Sequence, residues 1–375
     1  MRVEDRVRPE VLAMARPRHG GDVWGRGDVR DYSSNVNPLG APARLEEYIA
    51  EAARDLTNYP DDSSAELKAA ISGRYSLPAE SIMVGAGSAE LIRLFPETFV
   101  RPGDRVIMPR PTFSEYAFGC RLMGAQIVDI PLPEEDGFRV DIGNIVNAVA
   151  AGTKAVYLCN PNNPTAHMLP RKEVMELVSA AARRNAMVFL DETLLELSER
   201  DADVTCVPEV EGHDNMFIIR SFTKSFAMPG LRIGYGFGSR PVVRYLEAAR
   251  LSWNLGTIEQ RVAARLMSEE QDHISRAVSM LVEEKRRMHG ALGRILPYNV
   301  PLPDSYFFFS PIHQLGIDSK EFRSRMLGND VLVRDCSSFG APCERYSRFC
   351  VKTPEKDDEF LEALRATVEA IGADR

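Results

Sequence analysis

The chain has 375 residues, more than a single hydrophobic core of about 250–300 residues organises, so a large domain with a smaller companion is expected. Hydrophobic residues make up 44% and charged residues 27%, and 46 basic against 54 acidic residues leave a net charge of -8, which speaks against nucleic acid or an anionic membrane surface as the main partner. The opening segment lacks the apolar core of a signal peptide, and no run of about 18 apolar residues occurs, so a cytoplasmic location is expected.

Residues 1–45, rich in Gly, Arg and Pro, are expected to form an irregular arm. Residues 46–255 follow as a large domain in which short apolar runs alternate with helical patterns, the signature of an α/β fold. Strands are predicted over 81–85, 105–108, 126–131, 154–159, 186–191, 216–220 and 232–237; several are continuous apolar runs, as befits a mostly parallel sheet covered on both faces. The clearest helix is predicted over 170–185, opening on Pro170 and carrying Arg183 and Arg184 in its last turn. From about 242 to 296 the pattern is helical, and strands at 306–311, 331–334 and 348–352 belong to a smaller α+β domain over 256–375. Six cysteines (Cys120, Cys159, Cys206, Cys336, Cys343, Cys350) lie scattered with no C-x-x-C pair and no histidines nearby, so neither a zinc site nor a disulfide framework is expected.

Chemistry concentrates at the ends of the predicted strands. Ser221-Phe-Thr-Lys-Ser-Phe-Ala-Met-Pro-Gly-Leu-Arg232 places Lys224 among apolar and hydroxyl residues, where a lowered amine pKa makes it a nucleophile toward an aldehyde rather than a solvated surface group. Ser221, Thr223 and Arg232 could converge on a phosphate. In Ala186-Met-Val-Phe-Leu-Asp191-Glu192 a carboxylate ends an apolar strand, where it could pair with a pyridinium nitrogen or cap a following helix; Asp191 and Glu192 fit the cap equally well. Cys159-Asn-Pro-Asn-Asn163-Pro-Thr ends another strand, and Asn163 could donate to a phenolic oxygen, although Asn-Pro turns are common without function. Val84-Gly-Ala-Gly-Ser88-Ala89-Glu90 joins strand to helix and presents backbone N–H groups to a phosphate; it is a poor dinucleotide fingerprint, lacking the third glycine. Phe113, or failing that Tyr116, could stack on a planar ring.

In this order and spacing the motifs resemble the fold-type I pyridoxal 5'-phosphate enzymes, the aspartate aminotransferase superfamily, over nearly the whole chain. The resemblance implies the pyridoxal-phosphate-dependent transferase-like fold, with Lys224 as the cofactor lysine, Asp191 on the pyridine nitrogen and Asn163 on the ring oxygen. Ser88, Ala89, Ser221, Thr223 and Arg232 would form the phosphate cup. Asn58-Tyr59-Pro60-Asp61 resembles the segment whose tyrosine reaches the neighbouring subunit's cofactor, which implies a homodimer. His19-Gly-Gly and Asp31-Tyr-Ser-Ser-Asn35-Val-Asn37-Pro-Leu-Gly resemble the branch of histidinol-phosphate aminotransferase, a transferase, and L-threonine-O-3-phosphate decarboxylase, a lyase, and the His-Gly-Gly arm leans toward the decarboxylase. For a small phosphorylated amino-acid substrate the branch implies Arg348 on the α-carboxylate, Arg334 and His19 on the phosphate with help from Lys352, and Asn37 among the substrate contacts.

Three departures from the pattern stand out. Ala166 replaces the glycine that ends the Asn-Pro-Thr-Gly turn, Ser305-Tyr306 replaces an Asn-aromatic pair, and Leu194 stands where aminotransferases of the branch carry a tyrosine. Leu194 fits the decarboxylase better. The expected reaction is therefore decarboxylation of L-threonine O-3-phosphate to (R)-1-amino-2-propanol O-2-phosphate, a cobalamin side-chain precursor, with histidinol-phosphate transamination as the alternative.

Overall fold

The computed structural model describes residues 2–17, 19–22, 25 and 27–374. In chain order its strands are β1 (Arg30–Asp31), β2 (Ile82–Gly85), β3 (Arg105–Arg110), β4 (Gln126–Pro131), β5 (Thr153–Cys159), β6 (Met187–Asp191), β7 (Met216–Ser221), β8 (Gly234–Gly238), β9 (Phe307–Ser310), β10 (Val331–Leu332), β11 (Arg334–Asp335) and β12 (Ser347–Cys350). Seven of them form one sheet in the order β2-β8-β7-β6-β5-β3-β4, parallel except for β8, which is antiparallel to both of its neighbours. A sheet covered by helices on both faces buries its central strands, and the core divides accordingly. Val156, Leu158, Val188, Leu190 and Ile218 pack on one side. Tyr157, Phe189 and Phe217 join Phe95 and Tyr116 on the other.

The smaller sheet, β11-β12-β9, is antiparallel and aligns Arg334 with Arg348. The predicted strand over 331–334 is in fact two strands that change partners at Val333: β10 pairs in parallel with β1, and β11 pairs antiparallel with β12. The arm is thus not wholly irregular, since β1 ties it to the C-terminal part of the chain. Arg30 adds an ion pair to Glu359 at 2.9 Å. The helix Thr257–Glu269, expected with the smaller domain, packs along the helices Ala65–Tyr75 and Leu45–Ala52. The predicted helix over 170–185 runs Arg171–Ala182, so Arg183 is its C-cap rather than part of its last turn. All six cysteines are free and buried. Among the described residues no helix is long and apolar enough to cross a membrane.

Two positions are settled by local backbone geometry. The strand predicted over 232–237 begins at Gly234, which lies so close to the backbone N of Ser88 that no side chain fits there. Ala166 keeps the left-handed backbone of the glycine it replaces, with φ 63°, and its methyl is fully buried. That conformation costs a non-glycine residue about 1–2 kcal/mol, while the buried methyl returns about 0.8 kcal/mol. Ala166→Gly should therefore change unfolding stability by less than about 1 kcal/mol, whereas Ala166→Val, branched at Cβ and larger, should lose more than about 2 kcal/mol in chemical denaturation.

Candidate active site

The C-terminal ends of β5, β6 and β7 open into a cavity of about 680 Å³, the position where ligand crevices form in α/β sheets. Cys159, Asp191 and Ser221, the last residues of those strands, all line it. Alternation along β6 and its end sends neighbouring carboxylates opposite ways, and the ion pair with Arg220 decides which of Asp191 and Glu192 faces the cavity. Glu192 points away from the cavity, fully buried against Arg220 at 2.8 Å, and accepts further hydrogen bonds from Thr205 Oγ1 at 2.7 Å and the Cys206 backbone at 2.8 Å. Asp191 faces the cavity. No helix starts there for it to cap; instead its Oδ1 accepts from the Thr193 backbone at 2.8 Å and its Oδ2 from Tyr116 Oη at 2.6 Å. Burial pushes its carboxyl above the usual range, against the opposing pull of the Tyr116 and Thr193 donors. A buried acceptor of this kind suits a cationic ring N–H.

Lys224 follows β7 in a single helical turn, Phe222–Ser225, capped by Ser221 Oγ, which accepts from the Thr223 backbone at 3.2 Å. Its amine lines the cavity and makes no hydrogen bond or ion pair among the described residues. Burial first, and the Arg348 guanidinium second, lower its pKa to about 8. The backbone around it is fixed twice over. Asn37 takes the Lys224 carbonyl with its N–H at 2.9 Å and the Ser225 carbonyl with Nδ2 at 2.8 Å. Ser225 Oγ donates to the buried Glu196 at 2.7 Å, and Glu196 in turn accepts from Tyr235 Oη at 2.9 Å. Asn37 therefore holds the lysine segment and does not line the cavity, contrary to the expected substrate contact; Asn35 lines it instead.

Near Lys224, donors for an anion gather. Ser88 and Ala89 open the helix Ser88–Phe99, and Ser221, Thr223 and Arg232 complete the group along the cavity wall. Gly87, at φ 76°, has no side chain to obstruct Arg232, whose Nη2 lies 2.5 Å from where a Cβ would stand. Phe113 lines the cavity as the expected stacking residue. Tyr116 lines it too, but its hydroxyl is committed to Asp191, a role that sequence reading did not assign. Leu194 adds an apolar wall.

Opposite stand the two arginines of the small sheet. Arg348, 5% exposed, donates to Asn163 Oδ1 and to the Ser33 carbonyl, while its Nε is buried with no partner; Asn35 Oδ1 is likewise unpaired. Asn163 is left with its amide NH2 to offer. Arg334 donates to Ser338 Oγ at 2.6 Å and lies over the Phe339 ring at 5.3 Å; burial, then Arg348, lowers its pKa to about 10. His19 reaches the cavity from the arm and pairs with Glu115, a residue sequence reading missed because 96 positions separate the two. Two expected residues stay out of the cavity. Lys352 is buried beside Asp357, which its backbone N–H reaches at 3.1 Å. Tyr59 is 79% exposed and stacks on Trp253 at 4.6 Å.

A low-pKa lysine, a buried carboxylate, an anion cup and an aromatic wall around one cavity are what an enzyme built on a lysine-bound heteroaromatic aldehyde requires. The family model described as aminotransferase class I and II matches residues 23–364. The chain is 33% identical over 94% of its length, and 94% of the relative's, to the Caldanaerobacter subterraneus subsp. tengcongensis protein named "Putative threonine-phosphate decarboxylase". It is 32% identical to the histidinol-phosphate aminotransferase of Symbiobacterium thermophilum, covering 92% of both chains. The solved histidinol-phosphate aminotransferase of Clostridium acetobutylicum superimposes with a TM-score of 0.83 at 26% identity, over 91% of this chain and all of that one.

The chain belongs to the aminotransferase class I and II family and is a pyridoxal 5'-phosphate enzyme. The unpaired Lys224 amine and the cleft beside Gly87 fit that cofactor. With the Lys224 pKa depressed, the neutral amine predominates above about pH 8. Capture of pyridoxal phosphate by the apo-protein, followed by stopped-flow visible absorbance, should accelerate with pH and level off just above that value. Arg348→Met should shift the midpoint upward, and Lys224→Ala should give no lysine-bound band.

Proposed function

We propose that this enzyme decarboxylates L-threonine O-3-phosphate to (R)-1-amino-2-propanol O-2-phosphate, a cobalamin side-chain precursor. The observation that carries this reading is the register pair Arg334↔Arg348, which sets two buried guanidinium groups side by side on one wall of the cavity. Directly opposed residues of an antiparallel pair hold their Cβ atoms about 4.5–5.5 Å apart. A small substrate bearing a carboxylate and a phosphate a few bonds apart matches two such cations.

Bound in this site, pyridoxal phosphate supplies an electron sink for a bond broken at the substrate's α-carbon. The chain's own residues decide which bond that is. Arg348 holds the α-carboxylate through Nε and its forked nitrogens, with Asn163 fixing the guanidinium plane. Arg334, its guanidinium donating to the Ser338 hydroxyl, holds the phosphate, while His19 is engaged by Glu115 at the cavity wall. Asp191 keeps the ring nitrogen protonated, Asn163 donates to the ring oxygen, and Phe113 stacks on the ring. Ser88, Ala89, Ser221, Thr223 and Arg232 hold the cofactor phosphate. Leu194 and Ile92 add apolar surface to the cavity wall. Lys224 carries the proton that Nζ returns to the α-carbon once carbon dioxide has left. Tyr59, projecting beside Trp253, contributes to the cavity of a second copy in a homodimer.

Relatives named for histidinol-phosphate transamination support a second reading, in which the same cation pair takes a phosphate and a keto-acid carboxylate in turn. The holoenzyme given L-threonine O-3-phosphate alone should release carbon dioxide with no keto acid present. Glutamate formed from histidinol phosphate and 2-oxoglutarate, without carbon dioxide from the first substrate, would overturn the decarboxylase reading. Arg334→Met should lower kcat/KM for the phosphorylated substrate about 10- to 100-fold, the worth of lost charge-assisted hydrogen bonds, and leave the cofactor spectrum unchanged.

A further inference from the structure

The arm brings an imidazole into the cavity wall. His19 Nε2–H donates to Glu115 Oε1 at 2.6 Å, and its ring centroid lies 5.5 Å from that of Phe113. Phe113 and Glu115 flank the start of the helix Ser114–Leu122, directly after β3, and both line the cavity. Together they make the corner an imidazole needs, an aromatic neighbour and a carboxylate acceptor for its N–H. Of the two carboxylates lining the cavity among the described residues, Asp191 is engaged by Tyr116 and Thr193. Glu115 is the one left for an N–H from outside, and His19 takes it.

The arm beside that ring is tied to the body of the chain. The Gly21 N–H donates to Ser33 Oγ at 2.8 Å, and Ser33 Oγ donates in turn to Asp31 Oδ1 at 2.6 Å, immediately beside the β1–β10 pairing. A Cβ on Gly20 would stand 3.0 Å from the same Ser33 oxygen, so a larger residue there would have to push Ser33 aside by a few tenths of an ångström.

We infer that His19, held by Glu115, is a specificity-determining residue: the protein's own imidazole fills the corner that an imidazole-bearing substrate would occupy, and confines the site to compact side chains. The inference rests on the reading in which Arg334 and Arg348 take the two anionic ends of the substrate, for it concerns the space they leave. Histidinol phosphate, with its ring, then competes with His19 for Glu115, whereas L-threonine O-3-phosphate, whose side chain ends in a methyl group and a phosphate, does not.

The test is isothermal titration of the holoenzyme with L-histidinol phosphate. His19→Ala should bind it at least about tenfold more tightly than the wild type, the low end of what filling or emptying such a pocket achieves. Free imidazole should reverse the gain by reoccupying the corner, and His19→Ala combined with Glu115→Ala should lack it. His19→Phe, which keeps a ring in place, should still exclude histidinol phosphate, so a gain confined to His19→Ala is not a general loosening of the arm. Equal binding by the wild type and His19→Ala would overturn the inference, as would a gain in the double variant as large as in the single one. Heat of binding is read without turnover, so an enzyme that releases no carbon dioxide could still show the exclusion, and the two failures remain distinguishable.

Discussion

Arg220 and Glu192 form a completely buried ion pair at the ends of β7 and β6, and the geometry of the catalytic cavity depends on it. Neither group reaches water, so each needs the other. The guanidinium is further neutralised by Asp201 at 2.7 Å and by Glu196 at 3.8 Å. Such a pair adds little net stability over an apolar pair of the same shape, but removing one partner leaves a buried charge and costs about 3–5 kcal/mol. What it contributes is position. One residue before Glu192 the chain must face Asp191 into the cavity, and one residue after Arg220 it must do the same with Ser221. Through Glu196 and Ser225 the same network reaches the turn that carries Lys224. The carboxylate and the amine that chemistry requires are thus set relative to one another from behind the sheet.

On the cavity side the electrostatics have the opposite character. Lys224, Arg232, Arg334 and Arg348 line a space that contains only Asp191 and Glu115 as acidic residues among those described. The guanidinium of Arg348 lowers the pKa of both Lys224 and Arg334, though less than burial does. A chain with a net charge of -8 thus carries one cleft lined by more cations than anions. That arrangement costs folding free energy in the empty protein and is offset when an anionic cofactor and substrate enter. Unpaired Arg348 Nε and Asn35 Oδ1 show the same bias toward the bound state.

The central strands were legible because they are buried on both faces and read as near-continuous apolar runs, and the site because its motifs fall at strand ends. Lys224, Asp191 and the anion cup could be named from local sequence for that reason. Alternation alone could not separate Asp191 from Glu192 at the end of β6; the decision lies with Arg220, on another strand. Asn37 and Asn35 sit two residues apart in one motif, and only the packing against Lys224 shows that the first is structural while the second faces the cavity. Contacts between distant segments left no local trace: β1 with β10, and His19 with Glu115. The β8 strand begins later than its apolar pattern indicates, at Gly234, which pairs with Gly85 and Ser221, the last residues of its two neighbours.

The central claim is that one lysine, Lys224, carries the cofactor at the point where these networks meet. Treating the holoenzyme with borohydride fixes pyridoxal phosphate to whichever lysine holds it, and peptide mass mapping then locates the label. The account predicts a single modified peptide, containing Lys224. A label on another lysine such as Lys352, or no label on a protein that retains its cofactor, would contradict it.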